Sequence, residues 1–438
     1  MPSVVRICPL HLTIEKLVYG GDGLARLPAD DKGRGKAVFL PFVLEGEEVE
    51  SALVEEKPGF ARARAEKILQ ASAYRVAPHC PYFQQCGGCQ YQHASYEHQL
   101  EVKAAILREN LRRIARLEIE ELTVHPSPPW QYRNRTRLKV QGSAKIALGY
   151  YKFNSHDFLP VQECPISSPL INRSIAALWK WEGCPENLQE IELFADDEDS
   201  RLLIELYCAP GISRAAAQKL SDHVRGLMPE IAGAAVFESP KGSGPNQNRE
   251  PRKVAAAGAT ELVYTVEQIP YKVSAGAFFQ VNRHLIAELA AAATQGYSGE
   301  VALDVYAGVG LFSSVLARSF AQVIAVEASQ TSHADLVHNS PKNVKAVRAA
   351  SEQYLQKQGP RPDLIVVDPP RGGLGEGVIR CLTERNPRWL VYVSCDPATL
   401  ARDLRGLVSH GYSIKQAHLV DLFPQTYHLE SVFHLERP

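Results

Sequence analysis

The stretch V-A-L-D-V-Y-A-G-V-G-L-F, residues 301–312, decides the fold of the carboxyl-terminal part of the chain. An apolar run there leads into two closely spaced glycines and then into a segment with the pattern of a helix. Glycines between a strand and a helix let the backbone approach a ligand closely, and the amide groups that open the helix face that ligand. The stretch therefore predicts a nucleotide-type binding turn after a parallel strand.

Similar apolar runs recur downstream and alternate with helical stretches. The predicted strands are 301–306, 323–328, 363–368 and 389–395. Strands that alternate with helices are typical of a doubly wound parallel sheet. We therefore expect residues 276–438 to form a Rossmann-like α/β domain.

The identity of the nucleotide ligand depends on three positions around this turn. A dinucleotide site would have a third glycine, G-x-G-x-x-G, but Ser313 follows Gly308 and Gly310. Glu327 ends the next predicted strand, where a carboxylate can accept both hydroxyls of a ribose. The pattern favours S-adenosylmethionine. An ordinary tight turn between a strand and a helix is the alternative.

Cys395 is a candidate nucleophile because it ends a predicted strand just before a predicted helix. The amino end of that helix is expected to lower the pKa of the thiol. A thiolate that adds to carbon 6 of uracil turns carbon 5 into an enolate carbon, which can attack a methyl group. The remaining proton on carbon 5 must then be removed by a base before the thiol leaves.

Two residues near the end of the chain are candidates for that base. Glu430 is the preferred carboxylate, and His428 is the rival, which at period 2 would share the strand face of Glu430. Asp368, followed by two prolines, ends another predicted strand and forms a stiff polar rim at the binding edge of the sheet. For the prolines alone, a rigid loop is an equally simple explanation.

The composition limits the class of protein. The chain has 438 residues, 45% hydrophobic and 22% charged, which predicts two or three globular domains. Its net charge is −1, so any nucleic-acid contact must come from a local group of cations. No apolar run is long enough to span a bilayer, and no secretory signal is evident. We expect a cytoplasmic protein without a membrane contact or an evident obligate protein partner.

The amino-terminal part is expected to contain two further domains. Residues 1–70 read as short strands and turns, which predicts a small OB-like β-barrel, with Arg62 and Arg64 on a solvated strand face. Residues 71–275 read as a central α+β domain with a helix over 95–117, whose apolar residues, among them Leu100 and Leu107, are expected to share one buried face, and a long loop over 238–260.

Four cations recur at period 2 in the central domain. They are Arg133, Arg135, Arg137 and Lys139. In a strand they would share one face, where either a polyanion or acidic neighbours on adjacent strands would balance their charge. The sequence leaves both alternatives open.

The cysteines suggest a metal site. The chain has 9 cysteines, an odd number in a large chain, which argues against a disulfide framework. Cys80, Cys86 and Cys89 have the spacing C-x5-C-x2-C, and Cys164 is the candidate fourth ligand. Four thiolates suit a 4Fe–4S cluster or zinc, and plain structural cysteines remain the third alternative.

Taken together, these segments resemble the RNA uridine-5 methyltransferases, specifically the iron–sulfur branch that methylates 23S ribosomal RNA. The matching segments are AGAFFQVN (275–282), LDVYAGVGLF (303–312), DPPRGG (368–373), VSCDPATLARDL (393–404) and FPQTYHLESV (423–432). They occur in the order of the family and extend over the whole predicted catalytic domain.

The resemblance implies roles for individual residues. Cys395 would be the nucleophile and Glu430 the base. The residues around the methyl donor and the uracil would be Gln280, Tyr306, Gly308, Gly310, Glu327 and Asp368. The cysteines would hold a 4Fe–4S cluster, and residues 1–70 would be a TRAM module that contacts RNA. The same reaction on the T-loop uridine of tRNA and a non-catalytic iron–sulfur RNA-binding protein are the alternatives.

Several positions depart from the pattern of the family. Leu311 stands where related members often carry Asn, and Ala307 stands where they carry Cys. Ala350 or Ser351 replaces an acidic or amide residue near the end of the third strand. These departures concern single contacts to the donor and leave the expected nucleophile and base in place.

Overall fold

The computed structural model describes residues 10–28, 35–142, 145–183, 185, 187–240, 250–357 and 359–437. The described chain divides into two compact units. The first unit comprises the described residues up to Glu109 together with Phe423–His428. The second comprises the described residues of Asn110–Leu422 and Leu429–Pro438. The division into three domains stays a prediction.

A six-stranded sheet, with strand order β1-β5-β6-β4-β3-β2, forms most of the first unit. Its strands are β1 (Leu10–Thr13), β2 (Lys16–Leu17), β3 (Asp22–Arg26), β4 (Ala37–Pro41), β5 (Glu48–Glu56) and β6 (Phe60–Gln70). Neighbouring strands run antiparallel except β4 and β6, which are parallel. Side chains alternate between the two faces of such strands, so one face encloses a core that includes Leu12, Val38 and Leu40.

The segment of turns after β6 is tied to the sheet by one buried carboxylate. Glu47 Oε2 accepts hydrogen bonds from the Leu44 amide at 2.8 Å and from Arg75 Nη2 at 2.7 Å. Arg75 also donates to the carbonyl of Phe42 at 3.0 Å. Burial raises the pKa of Glu47, but the bonds from Arg75 and the amide outweigh burial, and the pKa lies below its ordinary value. Three of the cysteines lie in this anchored segment.

Helix α1 (Tyr96–Asn110) continues into a π-helical turn, Leu111–Ala115. The helix ends because Arg116 adopts a left-handed conformation with φ of 58°. The predicted helix over 95–117 is therefore present, but its buried face differs from the apolar stripe. Gln99 and Lys103 are buried beside Leu107, while Leu100 is only half-buried.

A seven-stranded sheet in the second unit has strand order β10-β9-β8-β11-β12-β13-β14. After β7 (Thr123–His125), which belongs to another sheet, the elements are β8 (Arg135–Gln141), β9 (Ala147–Tyr151), β10 (Phe158–Pro160), α2 (Pro169–Leu178), β11 (Leu188–Ala195), β12 (Leu202–Cys208), α3 (Arg214–Arg225), β13 (Ile231–Glu238) and β14 (Arg252–Gly258). The loop predicted over 238–260 is thus partly wrong, because β14 occupies its second half; residues 241–249 lie outside the described residues. Three alanines at 255–257 pair with β13 there.

The row of cations on β8 is paired with acidic residues on neighbouring strands. Arg135 bonds with Glu192 and Glu205, Arg137 bonds with Glu192 at 2.5 Å, and Lys139 bonds with Glu190. Arg133 precedes β8, and its backbone forms isolated β-bridges with Ser167 and Asn282. The polyanion alternative is therefore not needed for Arg135, Arg137 or Lys139, because β11 and β12 supply the balancing charges.

The rest of the second unit is a two-stranded hairpin and an eight-stranded sheet with order β19-β18-β17-β20-β21-β23-β22-β7. The elements are β15 (Glu261–Val266), β16 (Ile269–Ser274), α4 (Ile286–Thr294), β17 (Gly299–Val305), α5 (Leu311–Leu316), β18 (Phe320–Glu327), α6 (Gln330–Asn339), β19 (Val344–Arg348), α7 (Ser351–Leu355), β20 (Leu364–Val367), α8 (Gly375–Arg385), β21 (Trp389–Ser394), α9 (Pro397–Ser409), β22 (Ser413–Val420) and β23 (Glu430–Glu436). The four predicted strands are present as β17, β18, β20 and β21. The sheet is mixed because β23 runs antiparallel to β21.

The parallel strands bring the candidate residues to one edge. The neighbouring strands β18, β17, β20 and β21 run in the same direction, so their carboxyl ends lie side by side. Tyr306, Glu327, Asp368 and Cys395 are found at those four ends. Ligands of open α/β sheets bind at this edge.

No helix among the described residues is long and apolar enough to cross a membrane.

Candidate active site

The turn from β21 into α9 presents Cys395. The strand ends at Ser394, and Asp396 caps the helix by accepting hydrogen bonds from the amides of Ala398 at 3.0 Å and Thr399 at 2.9 Å. Pro397 at the first helical position lacks the amide hydrogen that would otherwise need a partner. This capped start holds the backbone of Cys395 between a strand and a helix.

The strand register places Glu430 beside Cys395. Strands β21 and β23 are antiparallel, and Ser394 is the partner of Ser431. Cys395 and Glu430 are the next residues of the two chains beyond this last pair, and the charge of Glu430 acts on the pKa of the Cys395 thiol. The hydroxyl of Ser431 donates to the carbonyl of Ser394 at 3.3 Å, which fastens the two chains next to the site. The structure thus brings together two residues that were predicted as nucleophile and base.

The expected lowering of the Cys395 pKa is wrong. Burial, with smaller effects from the carboxylates of Glu430 and Asp368, raises the pKa of the thiol to about 12, although the charge of Arg371 and a backbone hydrogen bond act in the opposite direction. The amino end of α9 does not offset these effects, because the side chain of Asp396 already caps it. The thiol is therefore protonated at neutral pH and needs a nearby acceptor for its proton.

Three acidic side chains in this region, Glu430, Asp368 and Asp304, have pKa values that burial raises, that of Asp304 to about 7. Burial raises the pKa of Glu430 well above its ordinary value, with Asp368 adding to the shift and Arg371 opposing it. Burial also raises the pKa of Asp368 to about 7, and the charge of Asp304 contributes. Buried carboxyls that influence one another share protons, so these groups can accept and return protons near neutral pH.

Helix α9 also holds the loop that follows Asp368. Thr399 Oγ1 donates to the carbonyl of Arg371 at 3.1 Å, and Arg402 Nη2 donates to the carbonyl of Gly372 at 2.8 Å. The buried carboxylate of Asp403 accepts from the amide of Leu374 at 2.7 Å. The segments DPPRGG and VSCDPATLARDL are therefore parts of one structure, although residues 374–392 separate them in the sequence.

The glycine turn after β17 has the backbone shape that a ligand site requires. Tyr306, Gly308 and Gly310 have φ values of 68°, 56° and 97°. A Cβ atom on Gly310 would lie 2.8 Å from Leu336 Cδ1, whereas a Cβ atom on Gly308 would meet no atom within 4 Å. Gly310 is thus required by packing against α6, and Gly308 leaves open space where a ligand can approach.

Glu327 closes the other side of this turn. Its Oε2 accepts from the amide of Gly308 at 2.9 Å, and its Oε1 accepts from the amide of Ser329 at 2.7 Å. A carboxylate oxygen has more than one lone pair, so both oxygens can still accept from ribose hydroxyls. The turn and the carboxylate form one site, which fits the nucleoside of S-adenosylmethionine.

Three of the departures from the family pattern occupy positions near this turn. The hydroxyl of Tyr306 is hydrogen-bonded to Ser351, one of the two candidate replacements after the third strand. Burial raises the pKa of Tyr306, so the phenol stays neutral and can donate. Leu311 is buried at the start of α5 and Ala307 is buried before it, so both side chains pack in the core.

Gln280 lies half-buried in the loop after β16. The charged residues that hold the backbone of this loop were not predicted to do so. Arg135 Nη1 donates to the carbonyl of Ala277 at 2.6 Å, and Glu205 Oε1 accepts from the amide of Gly276 at 2.9 Å. Arg135 had stood out only as one member of a row of cations. Its buried pairing with Glu205, distant in sequence, has no local signal.

His428 does not share a strand face with Glu430. Strand β23 begins at Glu430, and His428 precedes it within the segment Phe423–His428 of the first unit. Its ring lies 4.2 Å from that of Tyr427 and 5.7 Å from that of Phe423, measured between centroids. The expectation of a common strand face is therefore wrong.

The four candidate metal ligands are divided between the two units, with Cys80, Cys86 and Cys89 in the first and Cys164 in the second. All four are half-buried, and the described cysteines form no disulfide. The amide of Gly88 donates to Cys86 Sγ at 3.4 Å. Within the described part of the chain, no group of three or more His, Cys, Asp or Glu side chains is arranged to hold a metal ion.

Comparison with known proteins gives the class. The tRNA (Uracil-5-)-methyltransferase family matches residues 259–438. An uncharacterized RNA methyltransferase of Aquifex aeolicus is 33% identical over 98% of both chains. An uncharacterized RNA methyltransferase of Caldanaerobacter subterraneus subsp. tengcongensis is 32% identical over 98% of both chains.

One solved structure is similar over nearly the whole chain. The crystal structure of Pyrococcus abyssi tRNA (uracil-54, C5)-methyltransferase in complex with S-adenosyl-L-homocysteine has a TM-score of 0.74 at 24% identity. The likeness covers 97% of this chain and 100% of that one, and it shows the fold.

The chain therefore belongs to the RNA (uracil-5-)methyltransferase family. It is an S-adenosylmethionine-dependent RNA methyltransferase of that class.

Proposed function

We propose that this enzyme methylates carbon 5 of a uridine in 23S ribosomal RNA through a covalent adduct between Cys395 and carbon 6. The observation that supports the proposal is that Cys395 and Glu430 directly follow the last pair of the β21–β23 ladder, Ser394 with Ser431, and that the charge of Glu430 acts on the pKa of the Cys395 thiol. Asp368 influences the pKa values of both residues, so the three groups form one proton-sharing site.

The first step follows from the raised pKa of the thiol. Cys395 transfers its proton to a neighbouring carboxylate as sulfur adds to carbon 6, and Asp368, with a pKa of about 7, is suited to accept it. The positive sulfonium of the methyl donor favours ionised carboxylates nearby. Carbon 5 then attacks the methyl group, and S-adenosylhomocysteine leaves.

The second step restores the aromatic ring. Glu430 in its ionised form takes the proton from carbon 5, and the bond between carbon 6 and sulfur breaks, which returns Cys395 as a thiolate. Arg371 favours the ionised forms of both residues, because its positive charge opposes the effect of burial on their pKa values. The target uridine must leave its stack to reach this edge, as bases do in other enzymes that modify them.

The donor is proposed to bind at the glycine turn. The carboxylate of Glu327, which accepts a hydrogen bond from the Gly308 amide, would also accept hydrogen bonds from the ribose hydroxyls. The open space beside Gly308 would admit the nucleoside. Tyr306 and Gln280 would complete the site from neighbouring loops. This assignment rests on the backbone conformation of residues 306–310 and on the resemblance to the family.

The test is transfer of a radiolabelled methyl group to transcribed 23S rRNA and, separately, to transcribed tRNA. We expect label at carbon 5 of a uridine in 23S rRNA and none with Cys395→Ala. The tRNA T-loop uridine is the second candidate, because the similar crystal structure is that of a tRNA enzyme. Label in tRNA alone would refute the rRNA target. Absence of label in both, with folded enzyme, would favour a binding protein without activity.

We also propose that Cys80, Cys86, Cys89 and Cys164 bind a 4Fe–4S cluster. Two observations support this proposal. The four cysteines are not in disulfides, and a backbone amide donates a hydrogen bond to Cys86 Sγ, as amides do to cluster-bound sulfurs. Anaerobically purified enzyme should contain about four irons and four acid-labile sulfides per chain. Cys89→Ser should lose most of both, whereas Cys381→Ser, a change at a buried cysteine in α8, should keep them. Zinc in place of iron would overturn this proposal.

A further inference from the structure

The segment that precedes the proposed base is held by a buried amide. Gln99 on α1 is 1% exposed and Gln425 is 3% exposed. Gln99 Oε1 accepts from the amide of Gln425 at 2.9 Å, and Gln99 Nε2 donates to Gln425 Oε1 at 3.1 Å. The Gln99 side chain therefore forms hydrogen bonds with both the backbone amide and the side-chain oxygen of Gln425.

The orientation of the Gln99 amide is fixed by its surroundings. Besides Gln425, Nε2 donates to the carbonyls of Ala94 at 3.0 Å and Tyr91 at 3.2 Å. Rotating the amide by half a turn would set an oxygen against three oxygens, and it would lose the acceptor for the Gln425 amide hydrogen. Gln99 is thus specific for this position, and no other residue type supplies the same donor and acceptor on a side chain of this length.

The backbone that Gln99 holds is strained. Gln425 has a φ of 69°, in the left-handed region that residues with a Cβ atom rarely adopt. Its carbonyl accepts from the amides of Gln90 at 3.0 Å and Tyr91 at 2.9 Å. Such a conformation persists only where its surroundings over-determine it, and here Gln99 and the two amides do so.

The residues between Gln425 and the base are also fastened. Thr426 Oγ1 donates to the carbonyl of Phe423 at 2.9 Å and accepts from the amide of His428 at 3.2 Å. Gln90 Oε1 accepts from the amide of Tyr427 at 3.4 Å. Only Leu429 separates His428 from Glu430 in the sequence, so little free chain remains between the held segment and the carboxylate.

We propose that Gln99 is a positioning residue for the base Glu430, because it holds Gln425 in the strained turn from which the chain enters β23. This inference rests on the proposed function. The step that needs Glu430 is removal of the carbon-5 proton, which follows methyl transfer. Loss of Gln99 should therefore slow release of the methylated RNA from Cys395, while adduct formation and donor binding persist.

The test uses Gln99→Met, which keeps the length of the side chain and removes its hydrogen bonds. With transcribed 23S rRNA and labelled donor in a single turnover, release of labelled RNA should slow about ten- to hundredfold, and protein-linked label should accumulate. The affinity for S-adenosylmethionine should change less than about twofold, since the donor site lies on other elements. Gln218→Met, at an amide on α3 that donates to two oxygens, is the matched control and should release at the wild-type rate.

A conservative variant separates positioning from general stability. Gln99→Glu keeps the acceptor for the Gln425 amide and regains a donor only when the buried acid is protonated. The ratio of its release rate to that of the wild type should therefore rise as the pH falls, and Gln99→Met should show no such rise. If Gln99→Met does not fold, Gln425→Leu, which removes only the side-chain bond, decides the matter.

The outcomes are distinct. Release by the variants at the wild-type rate would overturn the inference and leave the proposed function intact. Absence of any adduct in a folded variant that binds the donor would also overturn it, because the defect would then precede proton removal. If the wild-type enzyme transfers no label, the proposed function fails, and the inference fails with it.

Discussion

The thiol of Cys395 is held in its protonated form by its neighbours. Burial and the carboxylates of Glu430 and Asp368 raise its pKa to about 12. A thiolate reacts with many electrophiles, whereas a protonated thiol is a poor nucleophile. In the proposed mechanism, the carboxyls near the sulfur would therefore restrict its reaction to the bound substrate.

Removal of the Glu430 charge should make the sulfur more reactive. In Glu430→Gln the pKa of Cys395 should fall, because a like charge beside the thiolate is gone. Alkylation of Cys395 by iodoacetamide at pH 9, followed by mass spectrometry of its peptide, should be faster in this variant than in the wild type. An equal or slower rate would show that Glu430 does not act on the sulfur.

The same substitution should stop turnover after methyl transfer. Glu430→Gln should lower the rate of product release about a hundred- to ten-thousandfold, because no base takes the carbon-5 proton. Methyl-labelled RNA should remain attached to the protein on a denaturing gel. Glu436→Gln, at the other end of β23, is the matched control and should turn over normally. Free methylated RNA in normal yield from Glu430→Gln would rule Glu430 out as the base.

The two glycines of the donor turn should differ when a methyl group is added. The added methyl group of Gly308→Ala would contact no atom, so this variant should lose only about 1 kcal/mol of folding free energy, from the left-handed backbone conformation. It should nevertheless weaken donor binding, because the methyl group enters the space left for the ligand. Gly310→Ala clashes with Leu336 and should lower the melting temperature further. Calorimetric titration with S-adenosylhomocysteine and thermal melts measure both effects. Similar melting temperatures for the two variants would contradict the packing argument.

At the scale of elements, α9 joins two motifs into one site. Its Asp403 accepts from the Leu374 amide and from the hydroxyl of Tyr392, at 2.7 Å and 2.9 Å, in a fully buried position. Asp403→Ala should leave both donors without a partner and destabilise the fold by about 2–4 kcal/mol. Urea unfolding measures this loss. Asp396→Ala, which removes only the cap of α9, should cost less, about 1 kcal/mol. A smaller loss for Asp403→Ala than for Asp396→Ala would refute this ranking.

A histidine cluster links α4 to strands β7, β22 and β23. His125 Nδ1 bonds with Glu288 at 2.7 Å, His125 Nε2 bonds with His418 Nδ1 at 3.0 Å, and the Tyr297 hydroxyl bonds with His434 Nδ1 at 2.6 Å. Burial lowers the pKa of His434 to about 4 and also lowers that of His418. The folded protein therefore keeps these rings neutral under conditions in which the unfolded chain binds protons.

This cluster should make stability fall in mild acid. The stability that neutral His434 contributes is full above pH 6.5, where both states are neutral, and is lost as the pH falls towards 4. The loss is on the order of 2–3 kcal/mol. Urea unfolding at pH 7.5, 5.5 and 4.5 should show a steeper decline for the wild type than for His434→Gln. Parallel declines would mean that His434 does not carry this dependence.

The sequence predicted the strands of the catalytic sheet well because buried parallel strands are continuous apolar runs. It also predicted that Glu327, Asp368 and Cys395 end strands of this sheet, and parallel neighbouring strands bring such ends to one edge, whereas Tyr306 was implied only by the resemblance to the family. The direction of the Cys395 pKa shift could not be predicted, because the carboxyls that affect it belong to Asp368 and Glu430, which are distant in sequence. Burial of a thiol likewise depends on packing and has no local pattern.

Polar residues on α1 likewise show that contacts between residues distant in sequence could not be predicted. Helical period predicted an apolar face on this helix, but Gln99 and Lys103 are buried as well, and their partners lie in Phe423–His428. The cations of β8 were similarly ambiguous until β11 supplied Glu190 and Glu192. A buried polar residue is explained only by its partner, and these partners are distant in sequence.

At the scale of the whole molecule, the net charge of −1 limits how RNA is held. Arg64 on β6 is 72% exposed, and its bond to Glu66 is long, at 3.4 Å. Arg62 is half-exposed and lies 3.4 Å from Asp22 and 3.7 Å from Glu55. Because these pairs are longer than those of the buried Arg135, we propose that the two exposed guanidinium groups contact phosphates of the RNA.

The Phe423–His428 segment has a consequence for synthesis. The first unit includes Phe423–His428, which the ribosome synthesises only after Asn110–Leu422. A growing chain can form the six-stranded sheet early, but the amide of Gln99 waits for Gln425. The contacts of the amino-terminal unit are thus completed late, when the ribosome has also reached Glu430, the proposed base.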